Sequence, residues 1–293
     1  MPRVPRFRNK QSGLTLIELV TVIVVLAIVS IGISAFLRKG FEIYAGTTER
    51  DQLLSESRFV IERLNRELRK SIPNSLRIKH DLSQEVQCLE FVPAEWVAFY
   101  TRIPVFPNTD LRARVVEIAG NTAQFNLQAN DYAFVYPTTD ADIYASASEK
   151  RRSILACSSN IDADNNGLAD GDGNCNTIGS SSNVVELTVD DSFQGQSPAS
   201  RMYFGRKSIS FCVNDDTISR HEDTIKTEQT LYLTGGDVMA EKIKNDLSQT
   251  TQLPFAMSGA TEDRNGLVNI KLAFELNKEQ INYNLEVHIP NAP

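Results

Sequence analysis

Glu18 is the residue whose chemistry most needs an explanation, because it is a lone acid near the start of an apolar run from Leu14 to Leu37. An ionised carboxylate in a membrane segment costs about 2.5–3.5 kcal/mol at the centre of the segment and less near its ends. A simple anchor would be more stable without it. We infer that Glu18 has a partner that offsets this cost.

A second group of candidate functional residues lies in an acidic stretch between Cys157 and Cys175. The candidate calcium ligands are Asp162, Asp164, Asn166 and Asp170. Their spacing matches the first nine positions of an EF-hand loop, with Gly167 at the sharp turn, but Gly173 stands where an EF-hand has its bidentate glutamate. The stretch is more similar to the shorter aspartate-rich calcium loops of extracellular repeats. The alternative is an acidic surface loop that binds no metal, and we expect no required cofactor.

The four cysteines allow three pairings. Cys157 with Cys175 would close a polar loop of about 18 residues, which the chain-entropy expression values at about 3 kcal/mol. Cys88 with Cys212 would then join two strand-like segments. The alternative is four buried free thiols. Because no CxxC spacing occurs, thiol redox catalysis and a zinc finger are not favoured.

Motifs of the common enzyme classes are not found. His80, His221 and His288 are widely separated and read as surface or loop residues, with no HExxH pair for a catalytic metal. No nucleophile elbow, phosphate-binding loop or dinucleotide fingerprint is present, and Gly235-Gly236 reads as a turn. An aromatic binding stripe over residues 96–100 is a weaker interpretation than core packing. We therefore expect a protein that is not an enzyme.

The element that must position Glu18 is an apolar helix. The run of about 24 residues is long enough to cross a bilayer with some tilt. The four basic residues Arg3, Arg6, Arg8 and Lys10 precede it, which predicts a cytoplasmic N-terminus and an extracytoplasmic remainder. The alternatives are a secretory signal peptide, with Gly32-Ile33-Ser34 as a weak cleavage site, and an ordinary signal anchor.

Residues 38–72 continue the helix in amphipathic form. Apolar or small residues recur at three- and four-residue steps, and the stripe consists of Leu53, Ser57, Val60, Ile61, Leu64 and Leu68. Pro73 ends the pattern. The stripe should pack on a β-sheet. The opposite, charged face is either solvated or in contact with other subunits.

Residues 74–293 read as a mainly β head. The chain has 293 residues, 41% hydrophobic, and a net charge of −7, which fits a folded domain and argues against nucleic-acid binding. Period-two patterns and short apolar runs predict strands at 86–92, 96–100, 114–118, 132–136, 184–189, 208–213, 230–233, 268–276 and 281–289. A short helix is predicted at 239–247.

The stretch from Gly13 to Leu19, GLTLIEL, resembles the class III signal of type IV prepilins and type II secretion pseudopilins. The resemblance implies an α+β, pilin-like fold with a long N-terminal helix packed on a mainly antiparallel β head. It implies that residues 1–13 are a leader removed by prepilin peptidase, with Gly13 the residue before the cut. Leu14 becomes the N-methylated mature N-terminus. Residues 14–37 then form the transmembrane and filament-core helix.

In this family the glutamate at the position of Glu18 pairs with the new N-terminal amine of a neighbouring subunit. The resemblance thus supplies the positive partner that the carboxylate needs. The proline that kinks the helix of many major pilins is missing, since residues 32–36 read GISAF. Without a proline to remove a backbone hydrogen bond, the sequence gives no such reason to expect a kink in this helix.

The run RFVIERLNRELRKSIPNS resembles the J/W group of minor pilins and pseudopilins. Over the whole chain, and mostly over residues 13 to about 75, the sequence is similar to the minor pilins of mannose-sensitive haemagglutinin pili. The expected function is a minor pilin that helps to initiate or support pilus assembly. The implied partners are other pilin subunits, prepilin peptidase, the assembly platform and the inner membrane. The alternatives are a type II secretion minor pseudopilin of the J type and a membrane-anchored calcium-dependent adhesin. The implied location is the inner membrane with a periplasmic head, and then the pilus surface.

Overall fold

A computed structural model describes residues 13, 15–116, 131–158, 184–258, 266–277 and 279–289. The helices are α1 (Leu16–Leu68) and α2 (Ala141–Tyr144). The strands are β1 (Arg77–Asp81), β2 (Val86–Phe91), β3 (Trp96–Arg102), β4 (Arg112–Val116), β5 (Tyr132–Phe134), β6 (Arg151–Ser158), β7 (Val184–Val189), β8 (Arg201–Gly205), β9 (Ser208–Asn214), β10 (Thr217–Asp223), β11 (Asp237–Ala240), β12 (Phe255–Ser258), β13 (Gly266–Leu276) and β14 (Glu279–Ile289). The chain divides into two units inside α1, between Gln52 and Leu53.

The predicted α+β class, with a long N-terminal helix and antiparallel sheets, is confirmed. The second unit contains a five-stranded sheet in the order β1-β2-β9-β10-β11 and a three-stranded sheet in the order β12-β13-β14. Strands β3 to β8 form a closed barrel in the order β3-β4-β7-β6-β5-β8. Since β2 and β9 are direct neighbours in the first sheet, the barrel is an insertion between two adjacent strands.

The last turns of α1 form the centre of the main core. The predicted stripe is confirmed, because Leu53, Ser57, Val60, Leu64 and Leu68 are buried and Ile61 is half-buried against the same core. They pack with side chains of both open sheets, among them Leu89, Phe91, Phe211, Ile270, Leu272 and Phe274. Burying one large apolar side chain is worth about 1.5–3 kcal/mol, so the stripe fixes this part of the helix on the sheets.

Hydrogen bonds and ion pairs also connect this part of the helix to the strands. The Ser57 hydroxyl lies 3.0 Å from the Tyr283 hydroxyl on β14. On the charged side of the helix, Glu67 accepts from Arg63 Nε at 2.8 Å and from Arg220 Nε on β10 at 3.0 Å. Part of the face that the sequence assigned to solvent or to other subunits is therefore bonded to the head itself.

Helix α1 ends at Leu68, four residues before the predicted limit. The amide of Ile72 donates to the Val92 carbonyl oxygen at 2.8 Å, and the amide of Ala94 donates to the Lys70 carbonyl oxygen at 2.8 Å. These bonds draw the chain out of the helix and onto the strand end of β2. Tertiary pairing thus ends the helix before Pro73 would.

The barrel has its own core. Side chains alternate along its strands, so that Trp96, Ala98 and Tyr100 of β3 and Val185, Leu187 and Val189 of β7 are buried. This is the inward and outward alternation expected of a small filled barrel. Val116 pairs with Val184 and Ser158 with Glu186, so the strand ends that lead into residues 117–130 and 159–183 are neighbours.

A disulfide joins Cys88 of β2 to Cys212 of β9, which are directly paired across the sheet. This pairing is one of the two disulfides that the sequence suggested, and the other is Cys157–Cys175. It links the two neighbouring strands between which the barrel is inserted. No cysteine among the described residues is free. Cys175 lies outside the described residues, so its pairing with Cys157 stays a prediction.

Two predicted elements are wrong. Residues 230–233 form no strand, because Tyr232 turns inward to donate to Asp223 Oδ2 at 2.7 Å and to stack on His221. Residues 239–247 form no helix, because β11 pairs with β10 through Ala240 and the chain beyond it is irregular. In both places pairing with β10 or its side chains outweighs the local pattern.

The side chain of Gln87 connects the two open sheets. It is 1% exposed, its Nε2 donates to the Phe255 carbonyl oxygen at 2.9 Å, and its Oε1 accepts from the Phe255 amide at 2.9 Å. Gln87 lies on β2 and Phe255 on β12, so one amide side chain acts as a short stretch of strand pairing.

Gln87→Leu should lower the free energy of unfolding of residues 53–293 by about 2 kcal/mol, because two buried hydrogen bonds are lost and backbone groups of Phe255 lose their partner. Urea denaturation measures the change. Gln84→Leu is the matched control, since Gln84 is exposed in the turn between β1 and β2. Equal stability of the two variants would show that this amide does not join the sheets.

Candidate functional site

The candidate site is the N-terminal end of α1, in the first unit. Gly13 is exposed and non-helical, and it lies shortly before the first helical residue, Leu16. A Cβ built on Gly13 would meet no atom within 4 Å. The described fold therefore places no requirement for glycine at this position. Exposed irregular backbone next to a helix is what a peptidase needs for access. Leu14 and residues 1–12 lie outside the described residues.

Thr15 and Glu18 form the start of the helix. The Glu18 amide donates to Thr15 Oγ1 at 3.4 Å and to the Thr15 carbonyl oxygen at 3.1 Å. The Thr15 hydroxyl lies 3.5 Å from Glu18 Oε2. Thr-x-x-Glu at a helix start is the spacing of a capping box, in which the side chains satisfy amides that have no partner inside the helix.

This capping role was not part of the sequence interpretation, although the Thr15-x-x-Glu18 spacing signals it. The positive end of the helix dipole lies at the N-terminus, so it favours a carboxylate in the first turn. Glu18 thus has two compatible uses. It helps to begin the helix, and it holds a negative charge near the place where a new amine would appear if the chain were cut after Gly13.

The distance between the charges at the two ends of the apolar segment matches the thickness of a membrane's hydrocarbon core. No charged residue lies between Glu18 and Arg38, twenty positions later. At 1.5 Å per residue this distance is about 30 Å along a helix, which is the thickness of a hydrocarbon core. Glu18 would then lie at one border of the hydrocarbon layer and Arg38 at the other, so the cost of burying the carboxylate is lower than at the centre.

The side chains between those charges are exposed. Large apolar residues such as Leu16, Ile28 and Ile31 are 82%, 66% and 72% exposed, and none of the most apolar window is buried. Among the described residues one helix is long and apolar enough to cross a membrane. So much contiguous apolar surface needs lipid or other helices around it.

Aromatic side chains follow the span. Phe41 and Tyr44 are 70% and 73% exposed, and Lys39 pairs with Glu42 at 3.1 Å beside them. Aromatic and basic residues concentrate where a membrane meets water. The pattern fits an end of the membrane segment between about Arg38 and Tyr44.

The predicted calcium ligands Asp162, Asp164, Asn166 and Asp170 lie outside the described residues. Within the described part of the chain no group of three His, Cys, Asp or Glu side chains is arranged to hold a metal ion. The calcium hypothesis stays a prediction.

The histidine interpretation is wrong for His221. This residue is 7% exposed, its Nε2 lies 2.8 Å from the Ser219 hydroxyl, and its ring stacks on Tyr232 with centroids 4.1 Å apart. Burial lowers the pKa of His221, and Asp237 acts in the opposite direction. Gly236 has φ +74°, and a Cβ there would lie 2.6 Å from the His221 ring, so this site needs glycine.

The aromatic residues of β3 divide between two roles. Trp96 and Tyr100 are buried in the barrel, and Tyr100 donates its hydroxyl to the Ser197 carbonyl oxygen at 3.1 Å. Phe99 points outward and is 42% exposed. Core packing is thus confirmed for two of the three, which leaves no continuous aromatic stripe on β3.

Residues 8–34 match the family described as Prokaryotic N-terminal methylation motif. The match covers Gly13, Leu14 and Glu18 together with most of the apolar segment. No curated protein and no solved structure matches the chain.

The match supports a prepilin-type protein, that is, a pilin-like or pseudopilin-like subunit. Such a motif implies processing by prepilin peptidase and assembly with other pilins. Together with the exposed apolar helix, it fits anchoring in a membrane.

Gly13→Phe should fold normally and keep the leader, because the fold leaves space at this position while the peptidase pocket would not. Intact mass spectrometry of the membrane fraction measures the result. Gly46→Phe is the control, since Gly46 also has no neighbour within 4 Å of a built Cβ, and this variant should lose the leader. A mature chain beginning at Leu14 in the Gly13 variant would remove the processing claim.

Proposed function

We propose that this chain is a minor pilin of a type IV pilus, which helps to initiate or support assembly of the filament. The observation that carries the proposal is the position of Glu18, a carboxylate in the first turn of an exposed apolar helix within the methylation motif. Adhesion and motility would follow indirectly, through the pilus. We propose no catalytic role.

The proposed mechanism begins with the cut after Gly13, which leaves Leu14 with a free amine that is then methylated. In a bundle of apolar helices, the carboxylate of Glu18 pairs with the ammonium of a neighbouring subunit. The attraction is strong because little water screens it. Removing one member of a buried pair typically costs 3–5 kcal/mol, since the other charge is left without compensation.

This pairing would also set the register of the bundle. Apolar side chains can slide past one another at little cost, whereas a charge pair is satisfied at one axial offset. Leaving the membrane then becomes favourable for a subunit that has docked at that offset. The assembly platform would act on subunits in this state.

The size of the head supports a minor role. The barrel of strands β3 to β8 is inserted into a head that already has two sheets and its own core. A filament of identical copies would have to place this insertion at every position. A subunit present in few copies, near the tip or base, avoids that crowding. The resemblance of residues 13 to about 75 to the O minor pilin of mannose-sensitive haemagglutinin systems agrees with this role.

The proposed location follows from charge. Arg3, Arg6, Arg8 and Lys10 would hold the leader in the cytoplasm, the helix would cross the inner membrane once, and the head would lie in the periplasm and later on the pilus. A disulfide between β2 and β9 agrees with an oxidising compartment.

A type II secretion minor pseudopilin of the J type is the second candidate, because it would use the same residues in the same way. Neighbouring genes for a secretion system rather than a pilus would favour it. A calcium-dependent adhesin is the third. It predicts that residues 40–293 alone bind a surface ligand and lose that binding when calcium is removed.

Glu18→Ala and Glu18→Gln should both insert and lose the leader but enter filaments poorly, by about 100-fold for a loss near 3 kcal/mol. Glutamine keeps an oxygen acceptor for the helix start and removes the charge. The amount of the chain in sheared pili, relative to that in membranes, measures the effect.

The control is Glu42→Gln, which neutralises an exposed acid beyond the apolar segment in the same helix. It should assemble as the unchanged chain does. Normal incorporation of Glu18→Gln would show that capping, and not charge pairing, is the role of Glu18 in assembly.

A further inference from the structure

Strand β14 is a long strand with a free edge. It has 11 residues, Glu279–Ile289, and pairs with β13 over its whole length with no shift in register. It is the last strand of its sheet, and no described strand pairs with its other side. Alternate backbone amide and carbonyl groups of β14 therefore face outward from the sheet without a strand partner in the described part of the chain.

The other sheet edges in the described structure are short, and the longest of them carries bases. β1 has 5 residues and carries Arg77 and Lys79, while β11 and β12 have 4 residues each. Short length, lysine, proline and bulges are the usual devices that prevent edge-to-edge pairing. The sequence of β14, EQINYNLEVHI, has no Lys, Arg or Pro. Its edge carries two glutamates but lacks the short length of β11 and β12 and the basic residues of β1.

The side chains of β14 alternate strictly. Ile281, Tyr283 and Leu285 point toward the core but are only half-buried, whereas Gln280, Asn282 and Asn284 are exposed on the other face. A further strand beside β14 would cover the open sides of the three apolar residues. It would need apolar side chains on the same face and neutral polar ones on the other.

We propose that β14 pairs with β14 of a second copy of this chain, antiparallel about a two-fold axis at Asn284. Each residue then faces the residue of the other copy whose number adds to its own to give 568, so that Glu279 faces Ile289. All 11 residues of β14 take part in the pairing. Tyr283 lies opposite Leu285 on the apolar face. The strand is thus complementary to itself.

Charge favours this register. Glu286 lies opposite Asn282, Glu279 lies opposite Ile289, and no acid faces another acid. A two-fold axis at Glu286 would place the two carboxylates opposite each other, which destabilises a cross-strand pair, and would use fewer residues. The proposal concerns the second unit alone and does not depend on entry into a filament.

The test is disulfide cross-linking of the full-length chain in the membranes of cells that express it. Asn284→Cys should shift most of the chain to twice the monomer mass, because residue 284 of one copy faces residue 284 of the other. Asn282→Cys is the matched control on the same face of the strand, and it should remain monomeric. Peptide mapping must show the 284–284 bond and the intact Cys88–Cys212 bond, which also shows that the head has folded.

The register has a separate test. Asn282→Cys and Glu286→Cys should each stay monomeric alone and should cross-link when the two variants are expressed together. Equal cross-linking of Asn284→Cys and Asn282→Cys, no cross-linking of any variant, or bonding of residue 284 to a different protein would each overturn the proposal.

Discussion

The packing of the last turns of α1 against two sheets is the interaction on which the head depends. Val60, Leu64 and Leu68 are fully buried there, and the same core holds both open sheets together. This constraint gives one helix two different surfaces. Its last turns are amphipathic, and the head covers their apolar side, whereas the segment from Leu16 to Leu37 is apolar all round and exposed among the described residues. The apolar run ends at Leu37, whereas the chain divides into its two units further on, between Gln52 and Leu53.

The head combines a sheet core with an inserted barrel, and the joint between them is reinforced on several levels. The disulfide holds β2 to β9 at the insertion point. A third apolar cluster, which includes Ile72, Phe134, Tyr144 and Tyr203, brings together the segment after α1, the barrel and α2. The Tyr144 hydroxyl donates to the Ser75 carbonyl oxygen at 2.7 Å, and the Arg77 guanidinium lies over its ring. An added domain can thus be large without loosening the core that holds the helix.

The sequence predicts what depends on local pattern. The helical stripe from Leu53 to Leu68 and several strands of a β-rich head follow from residue spacing, the antiparallel arrangement follows from the family resemblance, and the structure confirms them. Closure of the barrel could not be predicted, because β3 pairs with β8 and β4 with β7, contacts that no local period encodes. The buried roles of Gln87 and His221 were missed for the same reason, since each depends on a partner strand. The Thr15-Glu18 cap is encoded locally, by the Thr-x-x-Glu spacing, and is a second role for Glu18 beside the predicted charge pair.

The central claim is that Glu18 exists to meet an amine that appears when the leader is cut after Gly13. The intact mass of the native chain, purified from membranes and from filaments, tests this most directly. The account predicts a chain that begins at Leu14 and carries one added methyl group, with Cys88 and Cys212 oxidised. A native chain that retains Met1, or one that begins beyond Phe36, would contradict it.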